Sequence, residues 1–347
     1  MARERWFDAL QPGANGVRAT ADPSRSGGGP SRVHSSSVTY LALLLILLVA
    51  PEPRPVVVPP RLAAMTSPPE LSGLVWSSTL ERFLVVSDDT GLRDVGTYHA
   101  PFVLAMSADG KLDETPVPVL GSDALNDAES ICAGPDGTFF LITSHSPNRE
   151  GRAKRARRQL LHLELRGRSL IVRGRADLTE LKGGSLLGRA GQPPDAPLDI
   201  EAVTFHDGAL YVGLKSPLSS AGEALILRVA EPVKQLAAGR VQAASVTRWA
   251  AVALCPETAC EGVSDLTFLP DGSALVVANS PKGAPKDGGG ALWRLSREKK
   301  PELLRRFPNL KPEGVTLSPR STVVLVFDRN QDTPEWVELP LPPATVQ

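Results

Sequence analysis

Three carboxylates and two hydroxyls, Glu129, Glu201, Glu313, Ser72 and Ser264, stand at equivalent places in five similar stretches of the chain. Gathered around one point they would form a ring of hard oxygen donors. Close carboxylates repel, which pushes their pKa values upward, and a bound cation removes that cost. Radial oxygens suit Ca²⁺, which accepts six to eight of them, often as a pentagonal bipyramid with water in axial positions. Mg²⁺ prefers an octahedron, and Zn²⁺ would want His or Cys, which these five positions lack. A second set of polar residues lies about 15 positions after the first. These are Asp88 and Asp89, His145 and Asn148, Lys215, Asn279, and Asp328, with Asp127, Arg152 and Asp199 close by in sequence. Such residues could orient water, move a proton or hold an anion.

The elements that would position them are β-strands. The five phrases are Ser72-Gly73-Leu74, Glu129-Ser130-Ile131, Glu201-Ala202-Val203, Ser264-Asp265-Leu266 and Glu313-Gly314-Val315. Each is followed by a turn such as Pro135-Asp136-Gly137 or Pro270-Asp271-Gly272 and then by a β-rich run. The run ends 15 residues after the anchor in four copies and 14 in the third. Anchor intervals of 57, 72, 63 and 49 residues leave room for two further strands per copy. Only the fifth copy falls one strand short. A β-propeller closes its ring by letting one chain end complete the blade begun by the other, which removes an exposed edge. Val56 to Val58 lies where such a closing strand is needed. The pattern predicts an all-β, five-bladed β-propeller over 68–343, or six blades if a long interval hides a degenerate copy. In that fold the anchors converge at the axis and the second set rings the mouth on the same face.

Before the repeats the chain changes character twice. Residues 1–37 are rich in Gly, Ser, Arg and Pro, which reads as disorder or a start codon set too early. Residues 38–50 carry the apolar run Tyr40 to Ala50, shorter than the roughly 20 residues of a spanning helix but matching a signal-peptide core of about 7 to 15. Export to the periplasm or the outside is expected, with an uncleaved membrane anchor as the alternative. Residues 51–67 form a Pro-rich linker that includes the closing strand. Cys255 and Cys260 could close a small loop disulfide in an oxidising compartment or be unrelated thiols, and Cys132 reads as a buried apolar residue. Formal net charge is zero and aromatics are 5%, so nothing points to nucleic acid.

A resemblance adds to this reading. Glu70-Leu71-Ser72-Gly73-Leu74 followed by Ser87-Asp88-Asp89-Thr90-Gly91 resembles the opening blade of the calcium-activated nucleotidases, the apyrase family of five-bladed propellers. The stretches Gly262 to Pro270 and Pro312 to Val315 are similar to its corresponding blades. That family holds a central calcium with Ser, Glu, Glu, Ser, Glu in blade order. The resemblance therefore implies Ser72, Glu129, Glu201, Ser264 and Glu313 as ligands. Over most of residues 68–340, Ser144-His145-Ser146, Leu198-Asp199-Ile200-Glu201 and Gly213 to Pro217 resemble an uncharacterised family of bacterial propellers related to the esterase-like phytases. That family brings no activity with it.

Two functions follow from these residues. In one, calcium braces the ring of an exported monomer whose mouth binds a small anionic ligand or a protein partner through Asn148, Arg152, Asp199, Lys215, Asn279 and Asp328. In the other, the protein is a calcium-dependent hydrolase of phosphate-type esters, phytase-like or nucleotidase-like. Asp88, Asp89 or Asp127 then orients water, His145 moves a proton and Arg152 or Lys215 steadies the anion. No phosphate-binding glycine loop, dinucleotide fingerprint, zinc-protease motif or nucleophile elbow is present.

Overall fold

The repeated hairpin is the unit from which the molecule is built. The computed structural model describes residues 51–342 apart from 94–95, 97–98, 149, 255–260, 282–288, 298 and 330–332. Each copy folds as an antiparallel meander of short strands, and most strands are apolar on both faces because they lie between neighbouring sheets. The first meander is β2 (Leu71–Ser77), β3 (Arg82–Ser87), β4 (Phe102–Met106) and β5 (Val117–Leu120). The second is β6 (Ala128–Ala133), β7 (Thr138–Thr143), β8 (Leu160–Arg166) and β9 (Ser169–Ala176). The third is β10 (Asp199–His206), β11 (Ala209–Ser216), β12 (Ala224–Ala230) and β13 (Val246–Val252). The fourth is β14 (Asp265–Phe268), β15 (Ala274–Asn279), β16 (Gly290–Leu295) and β17 (Glu302–Phe307). The last is β18 (Lys311–Leu317), β19 (Thr322–Asp328) and β20 (Glu335–Pro340).

The third and fourth meanders are each a four-stranded sheet, and the last becomes four-stranded by adding β1 (Arg54–Pro55) to β20. The first two join into one eight-stranded sheet through a short parallel pairing of β5 with β9. First strands meet in a closed cycle: β2 lies against β6, β6 against β10, β10 against β14, β14 against β18, and β18 against β2. Gly73 and Gly314 mark how tightly they approach. A Cβ on Gly73 would stand 2.5 Å from Ser130 Cα, and one on Gly314 would stand 2.2 Å from Ser72 O. Apolar clusters fill the spaces between neighbouring meanders, for example Cys132, Phe140 and Ile142 against Ile200, Val212 and Leu214.

The strand that completes the last sheet lies two residues before the expected Val56 to Val58. Arg54 and Pro55 pair with Trp336 and Glu335, and Val56 N donates to Pro334 O at 2.8 Å. Pro55 has no N–H to continue the ladder, so the pairing is short. Val57 instead turns to the first meander, where its N–H donates to Gly110 O at 2.9 Å and its carbonyl accepts from Leu112 N at 2.9 Å. One segment thus ties the last meander to the first. The rest of the expected linker contains a helix, α1 (Pro60–Met65), opened by a proline whose missing N–H costs a first turn nothing. Two more short helices, α2 (Leu186–Ala190) and α3 (Pro232–Ala237), pack between sheets.

The expected signal or anchor segment at 38–50, and the Cys255 and Cys260 pair, lie outside the described residues. Among the described residues no helix is long and apolar enough to cross a membrane. Cys132 is buried in β6 as a free thiol.

Candidate metal centre

The anchor residues are set apart from their strands by a shared irregularity. In β6, pairing with β7 steps from Ala128 to Ser130 and leaves Glu129 out. In β10 it steps from Ile200 to Ala202 and leaves out Glu201, and in β18 from Pro312 to Gly314, leaving out Glu313. In β2 the shift spans Ser72 and Gly73. An extra residue in one strand is a β-bulge, which breaks the in-and-out alternation and re-aims a side chain. Ser264 stands one residue before β14, its N–H donating to Val277 O at 2.9 Å.

Around these bulges the chain gathers acids. Carboxylate oxygens of Asp88, Asp127 and Glu129 lie within 4.8 Å of one another. Ser72 Oγ donates to Asp88 Oδ1, so the first anchor acts on the group through its neighbour. Asp127 occupies a left-handed backbone conformation with φ 59°, and its N–H donates to Asp88 O at 3.1 Å. Ser144 N donates to Asp127 O at 3.0 Å, which ties the end of β7 to the same corner. Glu201 is buried, with one oxygen bonded to Lys215 Nζ and the other, Oε2, without a partner. Lys215 Nζ also lies 3.5 Å from Glu261 Oε2. Ser264 Oγ accepts from Asn279 Nδ2 at 2.9 Å, and the same amide donates to Pro312 O at 3.2 Å, linking the fourth and last meanders.

The charges interact as one group. Burial, and then Asp127, hold the Asp88 carboxyl well above the usual range, with the Ser72 hydroxyl working against the rise. Burial raises Glu129 as well, followed by the charges of Asp88, Asp127 and Glu201. Burial raises Glu201 despite Lys215, with Glu313 and Asp199 adding to the rise. Burial takes Glu313 to about 7 and Asp199 to about 6, again against the pull of Lys215. For Lys215 burial works the other way, but Glu201, Glu313 and Glu261 keep its ammonium above the ordinary value. Lys215, partly buried, thus faces more acids than it can neutralise.

Of the residues expected to act, Asp88, Asp127, Asp199, Lys215 and the three anchor glutamates fall within this network. The charge of Asp328 is felt by Glu313. Asp89 is turned into its own loop, where Oδ1 accepts from Gly91 N at 2.8 Å. Asn148 and Arg152 stay apart: Asn148 Oδ1 accepts from Arg152 N at 2.8 Å, and the exposed Arg152 pairs with Glu150. Expected at the mouth, His145 is only 2% exposed. Its Nδ1 donates to Thr143 O at 2.7 Å, and the charges it feels are those of Asp177 and Arg158. Burial lowers its pKa to about 4, so the ring is neutral.

Two residues of the centre escape a reading of the sequence. Arg157 pairs with Asp127 and donates to Ser146 Oγ at 2.7 Å, but in the chain it is one of a run of arginines. Asp265, one residue past the fourth anchor, is 2% exposed and bridges first strands. Its Oδ1 accepts from Ser130 Oγ and its Oδ2 from Val315 N, both at 2.8 Å. The corresponding residues are Gly73, Ser130, Ala202 and Gly314, small enough to leave it room. Beyond this layer a cavity of about 250 Å³ is lined by Trp76, Cys132, His206 and Phe268, with residues from all five first strands contributing to its wall.

No family model matches the chain, and no curated protein matches it. Among solved structures it is similar to a putative glycoside hydrolase from Parabacteroides distasonis (10% identity, 84% of this chain and 93% of that one, TM-score 0.47). It is similar as well to an endo-arabinase from Bacteroides thetaiotaomicron (13%, 84% and 99%, TM-score 0.46). A third likeness is to a gluconolactonase from Xanthomonas campestris (13%, 83% and 95%, TM-score 0.40). At these values none of the three bears on what this chain binds or does.

Proposed function

We propose that this chain is an exported five-bladed β-propeller that holds a calcium ion where its first strands begin and binds a ligand or partner at that face. Five equivalent meanders, the closed cycle of first strands and the completion of the last sheet by β1 support the five-blade reading. The observation that carries the ion is the triad of Asp88, Asp127 and Glu129 with ligand atoms inside 4.8 Å, beside a buried Glu201 whose Oε2 has no partner. A buried carboxylate left without a donor or cation is costly. Hard oxygens alone, with no His or Cys among them, fit calcium better than zinc. Asp88, Asp127, Glu129, Glu201 and Glu313 would hold it, with Ser72 fixing Asp88 and Ser264 held by Asn279.

Metal analysis and thermal melting of the purified full chain test this. One calcium per chain, and a melting temperature that falls in chelator, are expected, with Glu129→Gln abolishing the response. Identical melting curves in calcium and chelator would overturn it.

A second reading, phosphate-ester hydrolysis, is favoured by one detail. Asp88 and Asp127 are only partly buried, and Arg157 stands beside them. A substrate could reach these carboxylates, and a bound cation would supply Lewis acidity there. Asp88→Ala should then abolish turnover of a phosphorylated substrate without lowering the melting temperature measured in chelator. If a phosphatase and esterase panel with saturating calcium shows no turnover at all, this reading fails.

A further inference from the structure

The run of arginines between 152 and 158 divides among three destinations. Arg152 stays on its own loop with Glu150, and Arg157 enters the acid cluster. Arg155 and Arg158 face neither. Together with Arg175 near the end of β9, they line a cleft of about 430 Å³ between the second and third meanders, with Gly239 beyond α3 also in its wall. That volume lies within the range of roughly 300 to 1,000 Å³ usual for small-molecule sites. We propose that this cleft is a binding site for a small organic oxyanion, separate from the metal centre.

The lining explains the choice of ligand. Arg158 Nε is buried and has no hydrogen-bond partner, while its Nη1 is 4.0 Å from Asp177 Oδ2, too far for a hydrogen bond. An N–H withdrawn from water without an acceptor is costly unless a ligand supplies one. Arg175 is anchored at one end, with Nη2 donating to Gly121 O, so its guanidinium is held in place. Gln159 offers nothing to a ligand. Its Nε2 donates to Ala124 O at 2.8 Å and Ala156 O at 3.2 Å, and its Oε1 accepts from Ser122 Oγ at 3.1 Å.

Three guanidiniums therefore face two carboxylates, Asp177 and Glu180. Asp177 already spends Oδ1 on Thr179, at 2.8 Å from its N and 2.6 Å from its Oγ1. Guanidinium forks recognise phosphate and carboxylate oxygens in pairs, and the remaining acid oxygens can accept from hydroxyls on the rest of the molecule. A hydroxylated carrier of a phosphate or carboxylate meets both demands.

Calorimetric titration of the full chain with inorganic phosphate and, separately, with citrate tests this at fixed ionic strength in chelator. The metal reading then plays no part in the outcome. Saturable binding of either probe is expected, and the one that binds identifies the anion. Arg155→Gln and Arg175→Gln should each weaken it about tenfold or more, the usual loss of one charge-assisted contact. Glu201→Gln should leave it unchanged. Arg155 is exposed, so its variant can be expected to fold even if changes at the half-buried Arg158 do not. Failure of both probes to saturate, or unchanged affinity in both arginine variants, overturns the proposal.

Discussion

Asp265 and the anchor cluster are both buried carboxylate sites near the meeting line of the first strands, yet they are solved in opposite ways. Asp265 receives a hydroxyl from β6 and a backbone N–H from β18, so each oxygen has a donor. Burial still raises its pKa well above the usual range, with Glu313 adding to the rise, but the bonds from Val315 and Ser130 oppose it. Glu129 and Asp88 have mainly other acids for company, and Glu201 keeps an oxygen with no partner. A buried acid whose donors are all supplied by the protein is a structural tie. One that lacks them is a place where something from outside belongs.

The sharpest way to break this contrast is to remove the tie. Asp265→Ala leaves the Val315 N–H unpaired, reduces the Ser130 hydroxyl to its longer 3.3 Å bond with Val203 O, and opens space between three first strands. Losing one partner of a buried charge-assisted network costs on the order of 3 kcal/mol. Urea unfolding should show that loss, while the calcium response of the remaining folded protein persists. If Asp265→Ala instead abolished the calcium response at unchanged stability, the division of labour between the two acid sites would be wrong.

The cluster should behave in the reverse manner. Glu201→Gln keeps the side chain's volume and a carbonyl for Lys215, so the metal-free protein should change little. What it should lose is stabilisation by added calcium, about 2.7 kcal/mol at a hundred times the dissociation constant for one site. Differential scanning calorimetry with and without calcium measures both arms. A variant that melts lower but keeps its full calcium shift would make Glu201 a structural acid like Asp265.

How far these two sites could be foreseen differs for physical reasons. Hairpin periodicity is written in apolar runs and turn residues, so the strands from Phe83 to Leu339 could be placed to within a few residues. The shared register of Ser72, Glu129, Glu201, Ser264 and Glu313 exposed the anchors even though a bulge is a property of two paired strands and leaves no local signature. Asp265 escaped because being the one acid among small residues at its layer means nothing until the strands are packed. His145 misled because Ser-His-Ser-Pro-Asn reads as a surface loop, whereas the hydrogen bond from Ile200 N to Ser144 O covers it with the next meander. Arg157 and Arg158 are adjacent in the chain and leave in different directions, which a charge run cannot convey.

Acidity offers a finer test of the same contrast. Glu313 has a folded-state pKa raised to about 7, and Glu129, Asp88 and Glu201 are raised too, so the metal-free folded state holds more protons than the unfolded chain. Stability then falls as pH rises from the unfolded value near 4.5 through about 7, because each carboxylate must ionise beside the others. Calcium should flatten or reverse that slope by favouring the ionised forms. Urea midpoints at several pH values, in chelator and in calcium, measure it. Equal slopes in the two buffers would mean that the cluster takes up protons and not a cation.

The smallest effect is expected at Arg152, where the charge run suggests a role at the mouth. Its guanidinium pairs with Glu150 two residues away, and side-chain exposures of 68% and 62% leave both groups in water. Solvent screens such a pair, and holding two long side chains together costs entropy, so exposed pairs typically contribute under about 1 kcal/mol. Arg152→Ala should leave the urea midpoint, the calcium shift and phosphate binding in the arginine-lined cleft all close to those of the parent. Arg155→Gln, three residues on, changes charge by the same amount and should weaken phosphate alone. Measured side by side, the two variants separate a net-charge effect from a local one. Equal losses of phosphate binding would assign the effect to the general field of the loop and not to the cleft.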